Sequence, residues 1–413
     1  MWACVFFLLP INRALPLAPR TLWFAVILLL IAIPIISLRA ARPLYPGIWA
    51  FAGYASVVAI LTSTKTSTIE QNLFVGMQLF ILLGFGVFAL TASAVTEPKF
   101  VERVSGAFLI GQSLSAIAAV LQVLGQSALG AQAVHGRAPG LAGHPNSLGL
   151  LSCIAILLAL QILVATRKFR VFVIAALSAN MLALFASGSL SSFMAVAIGL
   201  LVFILCRREH VGKLTIGGIA FAVTLWLVGR FSGIVDYLPS VVQRYRQVTG
   251  QTDAESSWEF RMRTYDFAWS KVVEEPFFGN GLNAESSGTF NGITVTHNLV
   301  LRGWYQGGAF LAVAFALIVA AVLIVAARAI VRKEHGAEAA ILVAIIAFAL
   351  TSAFFEQRDY WLPLLFAWAS ISAAQIKLRQ VTSPLSLDHQ VRKPTPLLRH
   401  RSSSSNSTVA AGL

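Results

Sequence analysis

Runs of about 20 mainly apolar residues follow one another along most of the chain, with short polar connections between them. A helix of that length crosses the hydrocarbon core of a bilayer and satisfies its own backbone hydrogen bonds there. Of the 413 residues, 57% are hydrophobic and 12% are charged, and the mean hydropathy is +0.77. A soluble domain of this length does not bury so much apolar surface, so the sequence predicts an all-α, polytopic membrane helix bundle.

The apolar runs predict about 11–12 spans. Residues 1–10 are too short to cross a bilayer and lack the basic region of a removable signal peptide, so we interpret them as a short first span. The full-length predicted spans are residues 21–38, 47–63, 72–94, 101–125, 146–166, 169–187, 189–206, 213–230, 303–328, 338–355 and 359–377.

One long polar stretch, residues 231–302, interrupts the apolar pattern and holds eight of the seventeen acidic residues. A polar excursion from a helix bundle is where chemistry at a membrane surface is expected. We therefore predict an N-terminal transmembrane bundle at 1–230, a catalytic loop with short helices at 231–302 and C-terminal transmembrane helices at 303–378. A basic, Ser-rich tail at 379–413 is predicted to be disordered.

Clusters of Lys and Arg fall on every second predicted connection and in the C-terminal tail. By the positive-inside rule that side is cytoplasmic, and the loop 231–302 then lies on the opposite side. The net charge of 31 − 17 = +14 is explained by these topology-determining residues, so it does not indicate nucleic-acid binding. The clusters lie at Arg39/Arg42, Lys99/Arg103, Arg167/Lys168/Arg170, Arg207/Arg208/Lys213 and Arg328/Arg332/Lys333.

Arg137 lies in a second polar loop, residues 126–145, on the same predicted side as the long loop. Gly136 and the pair Pro139-Gly140 flank it and favour a turn that lets backbone approach a ligand. The planar guanidinium group is suited to clamping a phosphate. The alternative is an interfacial arginine that reaches lipid headgroups, and composition does not separate the two.

Within the long loop, residues 256–259 fit a capping box that opens a helix, Pro276 ends the helix, and 279–281 form a turn. Arg261 and Arg263 are two residues apart, so at most one of them faces a given site. Apolar residues at helical spacing predict a face that packs or lies on the membrane surface. The residues of this predicted face are Met262, Tyr265, Trp269 and Val272.

His297 and Asn298 stand where the long loop re-enters the membrane. A histidine can act as a general base near neutral pH, although a lone interfacial histidine can equally be structural. The sequence has no HExxH motif and no paired Cys/His spacing, so no metal is predicted. It also has no P-loop and no GxGxxG motif, so no cofactor is predicted.

These segments resemble the bacterial O-antigen ligase and Wzy-type polysaccharide polymerase superfamily, with ExoQ-like exopolysaccharide polymerases looking closest. Residues 136–149, 260–282 and 296–308 carry the resemblance, which extends across 130–310 in order, side and loop length. The family has an arginine about fifteen residues before a Pro–Gly-x-Gly turn, and then His-Asn with a glycine about eleven residues later. The matching residues here are Arg261, Pro276, Gly279, Gly281, His297, Asn298 and Gly308.

One position departs from the family pattern. Members often begin the span before the loop-bearing pair with Ser-x-Ser followed by Arg or Lys, whereas this chain has Leu190 there. A clamp of two arginines on a diphosphate therefore lacks one of its usual cations. Arg137 and Arg302 are the candidates to replace it.

The resemblance implies an enzyme of the bacterial inner membrane that transfers a glycan, without a metal, from undecaprenyl diphosphate to a saccharide or lipid A core acceptor. It implies a periplasmic long loop and a cytoplasmic C-terminus. His297 would be the base and Arg261 the cation that stabilises the leaving diphosphate. Arg137, Arg263, Asn298 and Arg302 would bind substrate.

Besides membrane lipids, the implied partners could include polysaccharide export or chain-length proteins. Two other functions stay open at this point: a transporter of polysaccharide or lipid-linked sugar, and a non-catalytic subunit of an export complex. A transporter predicts broken, charged spans, and the predicted spans are nearly free of ionisable residues. A non-catalytic subunit predicts that substitutions in the long loop are silent.

Overall fold

The structure is a computed structural model that describes residues 1–15, 26–33, 41–64, 68–127, 132–133, 137–166, 168–210, 212 and 257–382. The predicted span 213–230 and the first part of the long loop lie outside these residues, as do Ser256 of the capping box and the tail from 383 onward. Residues 1–374 form one compact unit, and 375–413 form a second.

The regular structure of the described residues is helical. A π-helical segment, Phe80–Gly86, joins α4 to α5. The helices are α1 (Trp2–Leu8), α2 (26–33), α3 (Pro46–Ser63), α4 (Ile69–Leu79), α5 (Val87–Thr96), α6 (Phe100–Val123), α7 (Pro145–Ala165), α8 (Arg170–Ser187), α9 (Leu190–Cys206), α10 (Ser257–Glu274), α11 (Ala284–Ser287), α12 (Leu299–Arg332), α13 (Gly336–Ala349) and α14 (Arg358–Thr382).

In the described part of the chain, 7 helices are long and apolar enough to cross a membrane. Three shorter apolar helices accompany them: Trp2–Ile11, Leu190–Cys206 and Gly336–Ala349. The prediction of a polytopic helical membrane bundle is therefore confirmed. The long helices are Pro46–Ser63, Ile69–Thr96, Phe100–Val123, Pro145–Ala165, Arg170–Ser187, Leu299–Arg332 and Arg358–Gln380.

Small residues allow the helices to approach closely, as is usual in membrane bundles. A β-carbon on Gly53 of α3 would lie 2.9 Å from Cα of Gly84 in the π-helical segment. Helix α13 is buried along almost its whole length and packs against α9. These contacts place α13 inside the bundle. The loop that follows it, residues 350–357, therefore begins at a buried helix.

Two of the predicted helix limits in this region need correction. The span predicted at 338–355 ends at Ala349, because the chain turns there and Phe354 and Phe355 pack as a buried loop. The span predicted to begin at 303 belongs to a helix of 34 residues that starts at Leu299 and is broken at Gly308. A straight helix of that length would measure about 51 Å, well beyond the hydrocarbon core of about 30 Å, so the break lets residues 299–307 leave the span.

The residues of the apolar face predicted for the loop helix divide between packed and exposed positions. Val272 is buried, and Tyr265 is half-buried. Met262 and Trp269 instead point outward, with 42% and 54% of their surface exposed. The face that packs is rotated toward Ala268 and Val272, which contact Tyr305 of α12, because the helix docks on its small residues.

Candidate functional site

Side chains from separate parts of the chain meet at one end of the bundle, around Ser191 at the start of α9. The Ser191 hydroxyl donates to the carbonyl oxygen of Thr351 (2.7 Å) and lies 3.2 Å from Nη2 of Arg261. The hydroxyl of Tyr265, one turn after Arg261, lies 3.2 Å from the carbonyl oxygen of His297. The structure thus brings Arg261 and His297, which are distant in sequence, into one site.

Helix α10 is positioned by a hydrogen bond from the segment that leads into α12. The buried hydroxyl of Thr296 donates to the carbonyl oxygen of Thr264 (3.1 Å). Thr264 is itself fully buried and lies on the same side of α10 as Arg261. Arg263, two residues after Arg261, is exposed, so Arg261 is the arginine that faces the site. This agrees with the prediction that at most one of the two arginines faces a given site.

His297 is a neutral imidazole at neutral pH. Its pKa is lowered to about 4, first by burial and then by the positive charges of Arg261 and Arg302, while a hydrogen bond to the Val295 backbone opposes the shift. His144 also lowers this pKa slightly. Nδ1 of His297 is buried and has no hydrogen-bond partner among the described residues. A neutral imidazole is the state that a proton acceptor requires, although the nearby positive charges make it a weaker base.

Tyr265 supports this arrangement without being ionised. Burial raises the pKa of its hydroxyl, and Arg261 and a hydrogen bond to Asn298 oppose the shift. The hydroxyl therefore stays protonated and holds the backbone of His297 as a donor. Asn298 itself caps α12, since its side-chain oxygen accepts a hydrogen bond from the Leu301 amide (3.0 Å). Its predicted contact with substrate stays a prediction.

Arg302 is almost fully buried, with 5% of its surface exposed. Nε donates to the side-chain oxygen of Gln306 (2.9 Å), and the guanidinium group lies over the ring of Phe355, 4.7 Å from its centre. Nη2 is 3.6 Å from Oε2 of Glu356. Arg302 is thus held by α12 and by the loop 350–357, and it acts on His297 by its charge.

Arg137 lies against the turn between α8 and α9. Nε donates to the carbonyl oxygen of Ser187 (2.8 Å), and Nη2 donates to the side-chain oxygen of Asn146 (2.7 Å). A β-carbon on Gly188 would lie 3.4 Å from Cγ of Arg137, so the glycine makes room for the side chain. Leu190, at the position where the resemblance implies a basic residue, is two residues beyond this contact and 40% exposed.

Sequence reasoning did not single out Ser191, Tyr265 or the loop 350–357 as parts of the site. The loop was predicted to be mostly membrane-spanning, and its acidic residue Glu356 was expected only at a connection. A usable signal existed in the group Glu356-Gln357-Arg358-Asp359, a concentration of polar residues between two apolar runs. Among the described residues no cluster of three or more His, Cys, Asp or Glu is found, and the absence of a metal stays a prediction.

The fold and the site define a class: a multi-pass helical membrane protein with guanidinium groups around a neutral imidazole at one end of the bundle. Residues 172–316 match the model of the O-antigen ligase family. The matched segment contains Arg261, His297 and Arg302. A match to this family model suggests a glycosyltransferase-like membrane enzyme of polysaccharide assembly. A search of curated proteins gave no match.

Proposed function

We propose that this protein transfers a glycan from undecaprenyl diphosphate to a saccharide acceptor at the periplasmic face of the bacterial inner membrane. The acceptor is a second lipid-linked repeat unit, as in a polymerase of ExoQ type, or a lipid A core, as in a ligase. The observation that carries the proposal is that Arg261 lies near enough to His297 for its charge to lower the pKa of the imidazole, within the segment that matches the O-antigen ligase family.

The leaving group is the diphosphate, and its departure requires stabilisation of developing negative charge. Arg261 supplies one guanidinium group, oriented by Ser191. Arg137 supplies a second, since it lies on the turn that contains Ser187 and Gly188, close to the start of α9. This placement supports Arg137, rather than the buried Arg302, as the replacement for the cation missing at Leu190.

His297 accepts the proton of the attacking hydroxyl. The bond between the anomeric carbon and the diphosphate oxygen breaks, a glycosidic bond to the acceptor oxygen forms, and the hydroxyl proton moves to the imidazole. With a pKa of about 4, the free site holds a neutral but weak base. Binding of a diphosphate near Arg261 and Arg302 would offset the charges that lower this pKa, so the base becomes stronger when the donor is present.

The test is analysis of lipid-linked oligosaccharides in a deletion strain that carries wild-type or variant protein. Accumulation of single repeat units in the deletion strain identifies a polymerase, and accumulation of long glycan on undecaprenyl diphosphate identifies a ligase. We expect Arg261→Ala and His297→Ala to reproduce the deletion at normal membrane levels. Lys271→Ala, which removes an exposed ion pair with Glu274 on the same helix, is the matched control and should restore the wild-type pattern.

An unchanged glycan pattern in the Arg261 and His297 variants would reject the proposal and favour a non-catalytic subunit. Accumulation of the lipid-linked unit on the cytoplasmic side of the membrane would instead favour a transporter.

A further inference from the structure

Helix α10 presents three different surfaces around its axis. Thr264, Ala268 and Val272 are buried against the rest of the protein. A second surface is polar and exposed, and it contains Glu259, Arg263, Asp266, Ser270 and Glu274. An apolar, exposed stripe lies between these two surfaces, and we call it the outer stripe. Its members are Met262 (42% exposed), Trp269 (54%) and Val273 (66%).

The outer stripe is narrow and continues beyond the helix. At about 100° per residue its three members lie within about 40° of one another. Phe277 and Phe278 follow directly, with 66% and 51% of their surface exposed. Large apolar side chains that line up in this way on one side of an amphipathic helix are typical of helices that lie in a membrane interface.

Backbone contacts fix the height of Phe277 and Phe278 relative to the spanning helices. The carbonyl oxygen of Phe278 accepts a hydrogen bond from the hydroxyl of Thr62 (3.1 Å), in the last turn of the candidate span α3. The carbonyl oxygen of Phe277 accepts from the amide of Ala309 (3.2 Å), directly after the break at Gly308 where the spanning part of α12 begins. Both phenylalanines therefore lie at the end of two spans, where aromatic residues concentrate in membrane proteins.

The exposed apolar surface runs on from there along the spanning part of α12. Phe310, Val313 and Leu317 are 40%, 49% and 40% exposed and follow helical spacing. The ring of Phe310 packs edge-on against the outward-facing ring of Tyr54 in α3, with 6.3 Å between the two ring centres. Since this surface of α12 is the one that a spanning helix presents to lipid, the outer stripe is continuous with the lipid-facing surface of the bundle.

We propose that the outer stripe of α10, together with Phe277 and Phe278, is embedded in the headgroup and acyl boundary of the leaflet on the site's side of the membrane. The helix lies parallel to the membrane surface, and the two phenylalanines anchor its C-terminal end in the interface. Arg261, on the inward side of the same helix, is thereby held at the depth of lipid headgroups, where a lipid-borne diphosphate presents its charge. The proposal concerns the membrane contact and does not depend on the transfer reaction.

The test measures membrane depth at single positions of the purified full chain in lipid nanodiscs. Spin labels are attached at Val273→Cys or Phe277→Cys in a Cys4→Ser background, since Cys4 is the exposed cysteine among the described residues. Ser270→Cys, on the polar surface of the same helix, is the matched control. Collision with oxygen, which partitions into lipid, is compared with collision with a water-soluble nickel chelate.

We expect the labels at 273 and 277 to collide at least several-fold more with oxygen relative to nickel than the label at 270. Equal nickel accessibility at 273, 277 and 270 would overturn the proposal, because the stripe would then face water and be left for a protein partner. The two apolar positions are independent, so a failure of one variant to fold leaves the other to decide.

Discussion

Acidification should destabilise this protein in a way that depends on His297. The folded-state pKa of about 4 lies below the ordinary histidine value of about 6.5, so the unfolded chain binds the proton more tightly. The contribution of His297 to the free energy of unfolding is therefore fully present above about pH 6.5 and is lost as the pH falls toward 4. The complete shift corresponds to about 3 kcal/mol, and most of it is lost by pH 4.5.

His297→Gln removes this proton-binding group and keeps a polar side chain of similar size. The assay is unfolding of the purified protein in mixed micelles, followed by tryptophan fluorescence at pH 7 and pH 4.5. The variant should lose about 2–3 kcal/mol less stability between the two pH values than the wild type, because every other titrating group is common to both. An equal loss in the two proteins would refute the view that His297 is held neutral by burial and by the arginines.

Two further substitutions test the geometry around the site. Gly308→Ala forces a residue with a side chain into φ +80° and brings a β-carbon against the carbonyl of Phe277. We expect this substitution to lower the free energy of unfolding by about 3 kcal/mol. Gly106→Ala is the control, since its β-carbon would meet nothing within 4 Å, and it should unfold like the wild type. Arg137→Lys keeps the charge but loses the hydrogen bonds of the planar guanidinium group to Ser187 and Asn146. We expect roughly tenfold weaker binding of a prenyl diphosphate, measured by calorimetry, with little change in the stability of the protein. Unchanged affinity would remove Arg137 from the site.

The sequence was sufficient for the parts of the fold that depend on local periodicity. Runs of apolar residues predicted the positions of the helices, and the predicted limits 146–166 and 169–187 lie within one residue of α7 and α8. The resemblance to the ligase and polymerase family singled out Gly308, and the structure shows a helix break there. Spacing alone also predicted that at most one of Arg261 and Arg263 faces the site.

The remaining features depend on contacts between distant segments, which no local pattern records. The early end of α13 follows from packing of Phe354 and Phe355 against the bundle, although the local composition is that of a membrane span. The rotation of the packing face of α10 follows from its contact with Tyr305. The contact of Arg137 with the α8–α9 turn joins residues fifty positions apart, so only the fold could show that this arginine lies near Leu190.

The central claim is that Arg261 and His297 together act on a lipid-borne diphosphate. The most direct measurement is release of undecaprenyl diphosphate from a purified glycan donor by the purified protein in nanodiscs, with acceptor and a metal chelator present. The account predicts turnover by the wild type and by Lys271→Ala, and a loss of at least about 100-fold in Arg261→Ala and His297→Ala. Release at the wild-type rate by either of the last two variants would contradict it.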